Sequence, residues 1–250
     1  MYLWKAWRDT RSRLALYSLA GVALGVLCGS DVLASANYRH LWHANGRWDF
    51  DSLIFSGELY WLEMVGLAAA LFTGLLLGAT SVGRAYGEGA MSFVLTRPAA
   101  RRNLVLVDWT VGLTGVVISL SGLVYVVYPF LSYVEVRGPG NILGILPALW
   151  LVGAAVFGLA HFTTLVGGSL GKGLILSVAV VLSYGFFPSV LQDWWHVDFL
   201  SKPVDWTFRI LECHRSWPFG PFEWTGMFFW LAVTVGFFAA SVAWIRYREV

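Results

Sequence analysis

The chain has 250 residues, of which 58% are hydrophobic and only 13% are charged, and its formal net charge is +2. A soluble domain carries about twice that share of charged residues, so the composition indicates a single integral membrane domain rather than a soluble protein. The small net charge and the scattering of the basic residues argue against nucleic-acid binding.

The chain opens with an aromatic and basic segment, MYLWKAWRDTRSR, over residues 1–13. Aromatic residues followed by a basic cluster are typical of a helix that lies in the membrane interface, so we predict an elbow helix before the first span. The alternative is that the segment serves only as a topogenic signal, which would need the same positive charges. A cleavable signal peptide is a further alternative, but Cys28 lies far from the small residues of Ala34-Ser35-Ala36, which favours a retained first helix.

Six apolar runs follow along the chain, and each is roughly long enough to cross a bilayer as a helix. We therefore predict an all-α polytopic membrane protein in which residues 1–250 form one transmembrane domain. The predicted spans are residues 14–28, 60–82, 104–131, 142–166, 174–190 and 224–245.

The distribution of Lys and Arg predicts the orientation of these spans. Most of the 17 basic residues fall on one side when both termini are placed in the cytoplasm. Positively charged loops resist translocation, so this orientation is favoured. It makes residues 31–57 and 191–223 the two long external loops, and both are rich in Trp. The indole rings are expected to anchor at the headgroup level, and a substrate-contacting or partner-binding cap is the alternative.

Three ionisable residues fall inside the predicted spans: Glu63, Asp108 and His161. Charged groups are costly in a membrane and often mark function there. All three lie one to two turns from a predicted boundary, where they can snorkel or form hydrogen bonds in a bundle. His161 also remains a candidate for a proton or ligand site.

No catalytic or nucleotide-binding motif is recognised. His40 and His43 form an HxxH in an external loop, which is weak grounds for a metal site. The segment GGSLGKG, residues 167–173, lacks the first Gly and the final Ser or Thr of a phosphate-binding loop, so it is predicted to be a tight inner turn. Cys28 and Cys213 leave a disulfide open. We therefore predict no cofactor, no metal and no catalytic residue in this chain.

Pairs of Gly four residues apart occur at Gly21 and Gly25, at Gly74 and Gly78, and at Gly167 and Gly171. Small residues at this spacing let helices approach closely in lipid. The pairs predict packing within the bundle, with a seam between two copies as the alternative.

The connection between the second and third spans, residues 83–103, is longer than a turn requires. Arg84 and Glu88 stand at helical i, i+4 spacing, and the apolar stretch GAMSFVL that follows is too short to span. These features predict a short amphipathic helix, which Arg97-Pro98 should end. Such an element, joined rigidly to two spans, is suited to docking a soluble partner.

These residues resemble the first inner loop of ABC-2 type exporter permeases. That loop commonly reads as an acid, Gly-Thr, a Leu-rich stretch, Pro-x-x-Arg and then an apolar span. Glu88-Gly89, Val94-Leu95 and Pro98-Ala99-Ala100-Arg101 follow the same order and spacing, whereas Ala90 replaces the usual Thr and Asp108 a common Lys. The chain length, the elbow and the roughly six spans are also similar to that family.

The resemblance implies a permease of a bacterial or archaeal cytoplasmic membrane, paired with a second copy or a related permease and with two cytoplasmic ABC ATPase subunits that bind ATP and Mg. It implies a cytoplasmic coupling helix within residues 84–95. The expected ATPase-coupling residues are Arg84, Glu88, Gly89, Met91, Phe93, Val94, Leu95, Pro98 and Arg101.

Within that helix, Arg84 and Glu88 are expected to make polar contacts with the ATPase, while Met91, Phe93 and Val94 pack on it or on the inner leaflet. Spans with almost no charge favour a hydrophobic or amphipathic substrate. The competing interpretation is a membrane scaffold or sensor that binds a partner through its aromatic external loops.

Overall fold

The computed structural model describes residues 11–12, 14–30, 51–87, 98–133, 143–195, 202–212 and 224–247, and these ranges contain helices and no strand. Seven helices are present within them: α1 (Leu14–Ser30), α2 (Asp51–Gly87), α3 (Pro98–Tyr133), α4 (Ile145–Gly167), α5 (Leu170–Trp195), α6 (Lys202–Glu212) and α7 (Trp224–Tyr247). The predicted helical class is confirmed for this part of the chain.

Four helices contain a segment that is long and apolar enough to cross a membrane: Glu63–Ser81, Val105–Phe130, Ile145–Gly167 and Trp224–Ile245. Counting only the residues whose side chains the structure describes, the apolar stretches of α1 and α5, Leu14–Ser30 and Leu170–Tyr184, are shorter. The protein is therefore a membrane-embedded helical bundle, and every predicted span coincides with a helix.

The helix ends differ from the predicted boundaries. Helix α2 begins at Asp51, inside the predicted loop 31–57, and continues to Gly87, whereas α3 begins at Pro98, inside the predicted connection 83–103. Hydropathy marks only the apolar part of a helix, so polar turns beyond the membrane are missed. Proline suits the first turn of α3, where its missing N–H would have no partner in any case.

Helix α4 lies at the centre of the bundle and is the most buried of the four candidate spans. It packs most extensively on α2, and also on α3, α5, α6 and α7. The close approach of α2 depends on glycine, because a Cβ added at Gly74 would lie 2.7 Å from the carbonyl oxygen of Gly153. Gly21 does the same for α1 on α3, where a Cβ would lie 2.6 Å from the oxygen of Ser119.

The packing prediction for Gly is thus confirmed for two of the three pairs. Gly78 also lies against the α4 backbone, and Gly25 lies against that of α3. The third pair differs, because Gly171 sits beside the turn that links α4 to α5 and has no atom within 4 Å of an added Cβ.

Contacts between helices fix their directions. In the contacts of α2 with α4, of α7 with α4 and of α1 with α3, later residues of one helix meet later residues of the other. These three pairs of helices are therefore parallel. Helix α3 is antiparallel to α4, as is α5. The start of α1 and the end of α7 consequently lie at one end of the bundle, which we call the turn end because the turn at Gly168 is there. Helix α6 lies at the opposite end, the α6 end.

Candidate functional site

The predicted ATPase-coupling residues lie at the turn end or outside the described residues. Arg84 is in the last turn of α2, and Pro98 and Arg101 are in the first turn of α3. Outside the described residues are Glu88, Gly89, Met91, Phe93, Val94 and Leu95. Arg84 therefore continues α2 instead of starting a separate helix, and the rest of the coupling helix stays a prediction, as does the elbow.

Helices α2 and α3 both extend past their apolar segments at this end. Residues 83–87 of α2 follow the predicted span 60–82, and residues 98–103 of α3 precede the predicted span 104–131. At 1.5 Å per residue, these extensions are about 8 Å and about 9 Å long. The basic residues Arg84 and Arg101 are carried on these extensions, beyond the part of each helix suited to hydrocarbon.

A cavity of about 330 Å³ lies toward the α6 end, and we call it the α5–α7 cleft. Five helices contribute to it, and buried side chains of α4 form its floor. Its walls are almost entirely apolar and contain no charged residue. The lining residues are Leu67 and Leu71 of α2, Val152, Ala155, Val156 and Leu159 of α4, Val180, Val181 and Tyr184 of α5, Thr207 of α6, and Phe229, Trp230, Val233 and Phe237 of α7.

Polar groups occur only where α6 closes the cleft. The indole N–H of Trp230 donates to the hydroxyl of Thr207 at 3.2 Å, and the rings of Tyr184 and Trp230 are 6.0 Å apart in a T-shaped arrangement. The Tyr184 hydroxyl is buried beside Thr207 and has no well-aligned hydrogen-bond partner among the described residues. An apolar cleft with hydroxyl groups only at its closed end suits a hydrophobic chain with a polar head.

Helix α6 lies inside the stretch that was predicted only as the external loop 191–223. Its polar side chains Lys202, Asp205 and Arg209 are exposed, whereas Thr207 and Ile210 are buried against the bundle. A helix of this kind, charged on one side and apolar on the other, is typical of the membrane interface. The alternation of charged and apolar residues at helical spacing was the signal that sequence reasoning missed.

The buried His161 lies elsewhere, among aromatic rings of α3, α4 and α7. It is fully buried; its ring centroid is 5.7 Å from that of Trp109, and its Nδ1 is 3.4 Å from the hydroxyl of Ser241. Its Nε2 has no hydrogen-bond partner in the described part of the chain. The side chain therefore belongs to the bundle interior and does not line the α5–α7 cleft.

The turn between α4 and α5 has the tight geometry predicted for GGSLGKG. Gly168 ends α4 in the left-handed conformation, with φ of 66°, and its N–H donates to the oxygen of Thr164. The hydroxyl of Thr163 on α4 is 2.6 Å from that of Ser177 on α5 and donates to the oxygen of Gly173 at 3.1 Å. These bonds join the two helices, and Lys172 is left exposed beside them.

No group of three or more His, Cys, Asp or Glu residues is arranged to hold a metal within the described ranges. His40 and His43 lie outside them, and so does Cys213, so the HxxH and the disulfide stay predictions. Comparisons of the chain with protein-family models, with curated proteins and with solved structures gave no match.

Proposed function

We propose that this chain is the permease subunit of an ABC-2 type exporter, which moves a hydrophobic or amphipathic substrate across a bacterial or archaeal cytoplasmic membrane. ATP would be hydrolysed by a separate ATPase subunit. The observation that carries the proposal is the order Glu88-Gly89, Val94-Leu95, Pro98 and Arg101 in the connection between two spans. In this proposal the chain has six spans, an N-terminal elbow and cytoplasmic termini, and it pairs with a second permease.

The long helices on either side of this connection support the proposal. A soluble ATPase cannot enter the bilayer, so the connection must be held beyond the membrane. Helices α2 and α3 extend about 8 to 9 Å past their predicted spans, and both extensions carry arginine. A docked ATPase would therefore push on two rigid helices.

The packing of α2 on α4 also supports coupling. Gly74 and Gly78 bring the backbone of α2 against that of α4, with no long side chain between them to absorb a displacement. Packed helices shift as units, since close-packed interiors do not deform continuously. Movement of the connection would thus reach α4, which contacts most of the other helices.

The proposal is tested first by photo-cross-linking in the source organism. A photoreactive amino acid replaces Phe93 in the tagged full chain, and a second variant carries it at Asp205 on α6 as the control. We expect an ATP-binding-cassette ATPase to be captured from position 93 and not from position 205. Capture of no ATPase from position 93 would refute the proposal, and capture of another protein from position 205 would favour a scaffold or sensor.

Function is tested on the complex purified with its ATPase. Replacing Arg84 and Glu88 together with Ala should reduce permease-stimulated ATP hydrolysis to the rate of the ATPase alone. Lys172→Ala is the matched control, because Lys172 is a basic, exposed residue at the turn end. Unchanged stimulation in the double variant would show that Arg84 and Glu88 are not needed for coupling.

A further inference from the structure

The α5–α7 cleft opens sideways, between two helices that barely touch. Helices α5 and α7 both pack on α4, but among the described residues they make almost no direct contact except where the rings of Tyr184 and Trp230 meet. Val180 lines the cleft and is 41% exposed, whereas the floor residues on α4 are buried. The mouth therefore lies on the side of the bundle, between α5 and α7.

This side of the bundle is apolar on both flanks of the mouth. Leu182 of α5 and Val235 of α7 are 63% and 56% exposed, and neither lines the cleft. Large apolar side chains exposed on a membrane-spanning bundle face lipid. The cleft thus opens onto hydrocarbon, and its walls offer water almost no hydrogen-bond partner.

The dimensions of the cleft match a single hydrocarbon chain in one leaflet. Its lining runs from Phe229 to Phe237 on α7 and from Val152 to Leu159 on α4, which corresponds to about 10 to 12 Å along the helix axes. One leaflet contributes about 15 Å of hydrocarbon. A volume of about 330 Å³ is at the small end of the range for ligand pockets.

The closed end of the cleft holds the Tyr184 hydroxyl, unpartnered among the described residues, at the depth where a lipid chain becomes polar. There α6 carries its exposed charges Lys202, Asp205 and Arg209 in the pattern of an interfacial helix. Tyr and Trp are enriched at this depth because their rings are apolar and their N–H or O–H groups are polar. The Trp230 N–H is satisfied by Thr207, whereas the buried hydroxyl of Tyr184 has no partner in the part of the chain that the structure describes and can donate to a ligand.

We propose that the α5–α7 cleft binds one acyl chain of an ester-linked membrane lipid, whose carbonyl oxygen accepts a hydrogen bond from the Tyr184 hydroxyl. The chain enters sideways between α5 and α7, with its head at the α6 end. The site requires only that the bundle lies in a bilayer, so it is independent of the proposed ATPase coupling and is tested on the purified chain alone.

The first test places the full chain in nanodiscs of dioleoylphosphatidylcholine that contain a small fraction of phosphatidylcholine with a diazirine in one acyl chain. After photolysis, adducts should concentrate on the cleft-lining residues of α5 and α7, well above the level on the exposed side of α1. Labelling that is uniform over all lipid-facing helices would overturn the proposal, and so would a second copy of the chain cross-linked in the cleft.

The matched variants are Val233→Trp and Val235→Trp, two positions on the same helix. Val233 lines the cleft and Val235 faces outward, so only the first indole fills the space that the chain would occupy. We expect Val233→Trp to remove most of the cleft labelling and Val235→Trp to leave it unchanged. Equal labelling in both variants would refute the site.

A milder variant covers the possibility that Val233→Trp fails to fold. Native mass spectrometry of the chain with equal amounts of ester-linked and ether-linked phosphatidylcholine should show about five-fold preferred retention of the ester, as one hydrogen bond would give. Tyr184→Phe should abolish this preference, and Tyr125→Phe, on the exposed side of α3, should keep it. A wild-type chain with no preference would refute the role of Tyr184.

Discussion

Replacing Gly74 with Ala should separate α2 from α4 and destabilise the bundle. The added Cβ would lie 2.7 Å from the oxygen of Gly153 and 3.0 Å from both the amide nitrogen of Phe157 and the Cβ of Val156. Two of these three neighbours are backbone atoms of α4, which cannot rotate away as a flexible side chain would. The helices themselves must therefore move.

The size of the effect follows from the contact distance. A carbon normally approaches a carbonyl oxygen to about 3.3 Å, so α2 and α4 must separate by about 0.6 Å near Gly74. A gap of that size removes about a quarter of the dispersion energy of the facing atoms, and overpacking of this kind costs about 1–3 kcal/mol. The better helix propensity of Ala offsets about 1 kcal/mol of this loss of stability.

Gly236→Ala is the matched control, because Gly236 is also helical but has no atom within 4 Å of an added Cβ. Both variants share the gain in helix propensity, so the difference between them isolates packing and should be about 1–3 kcal/mol. The free energy of unfolding is measured by titrating SDS into mixed micelles and following Trp fluorescence. Equal unfolding curves for Gly74→Ala and Gly236→Ala would refute the packing argument.

The same assay tests three further sites. Thr163→Val should lower the free energy of unfolding by about 1 kcal/mol, because it removes the hydrogen bonds of the hydroxyl with Ser177 and Gly173. A double-mutant cycle with Ser177→Ala that shows no coupling would contradict these bonds between α4 and α5. Gly168→Ala should lower the free energy of unfolding by about 1–2 kcal/mol, because a φ of 66° is unfavourable for a residue with a Cβ. Gly168→Asn should lower it less, since Asn tolerates this conformation better, and identical losses would argue against the left-handed turn. His161→Leu should change the free energy of unfolding by less than about 1 kcal/mol, because the loss of the 3.4 Å contact between Nδ1 and Ser241 is offset by the removal of Nε2, which has no partner among the described residues. A much larger loss would contradict this balance.

Much of the helical framework could be predicted from the sequence, because the signal for a membrane span is local. An apolar run such as 224–245 needs no knowledge of its neighbours, and it matches the helix Trp224–Tyr247 closely. Helix ends outside the membrane were not predictable in this way. Asp51 and Gly87 lie in polar sequence that hydropathy assigns to loops, although the backbone hydrogen bonds of α2 continue through both.

The α5–α7 cleft could not be predicted, because its walls come from five helices. Val180 and Val233 are ordinary apolar residues of two spans, and nothing local distinguishes them from Val178 or Val235. Val180 and Val233 line a cavity only because α5 and α7 lie apart from each other where they pack on α4. The sequence signal that was present, the amphipathic pattern of α6, marks the end of the cleft and not its interior.

The two proposed sites are connected through one helix. Leu67 and Leu71 of α2 line the α5–α7 cleft, and Arg84 lies about 20 Å further along the same helix, at the turn end. Because α2 is held to the floor helix α4 at Gly74 and Gly78, a displacement applied at Arg84 would move one wall and the floor of the cleft together. In the proposed complex, an ATPase docked on the connection 83–103 would therefore act on the volume open to a lipid chain. Gly74→Ala, which loosens α2 from α4, should weaken that coupling even where the ATPase still binds.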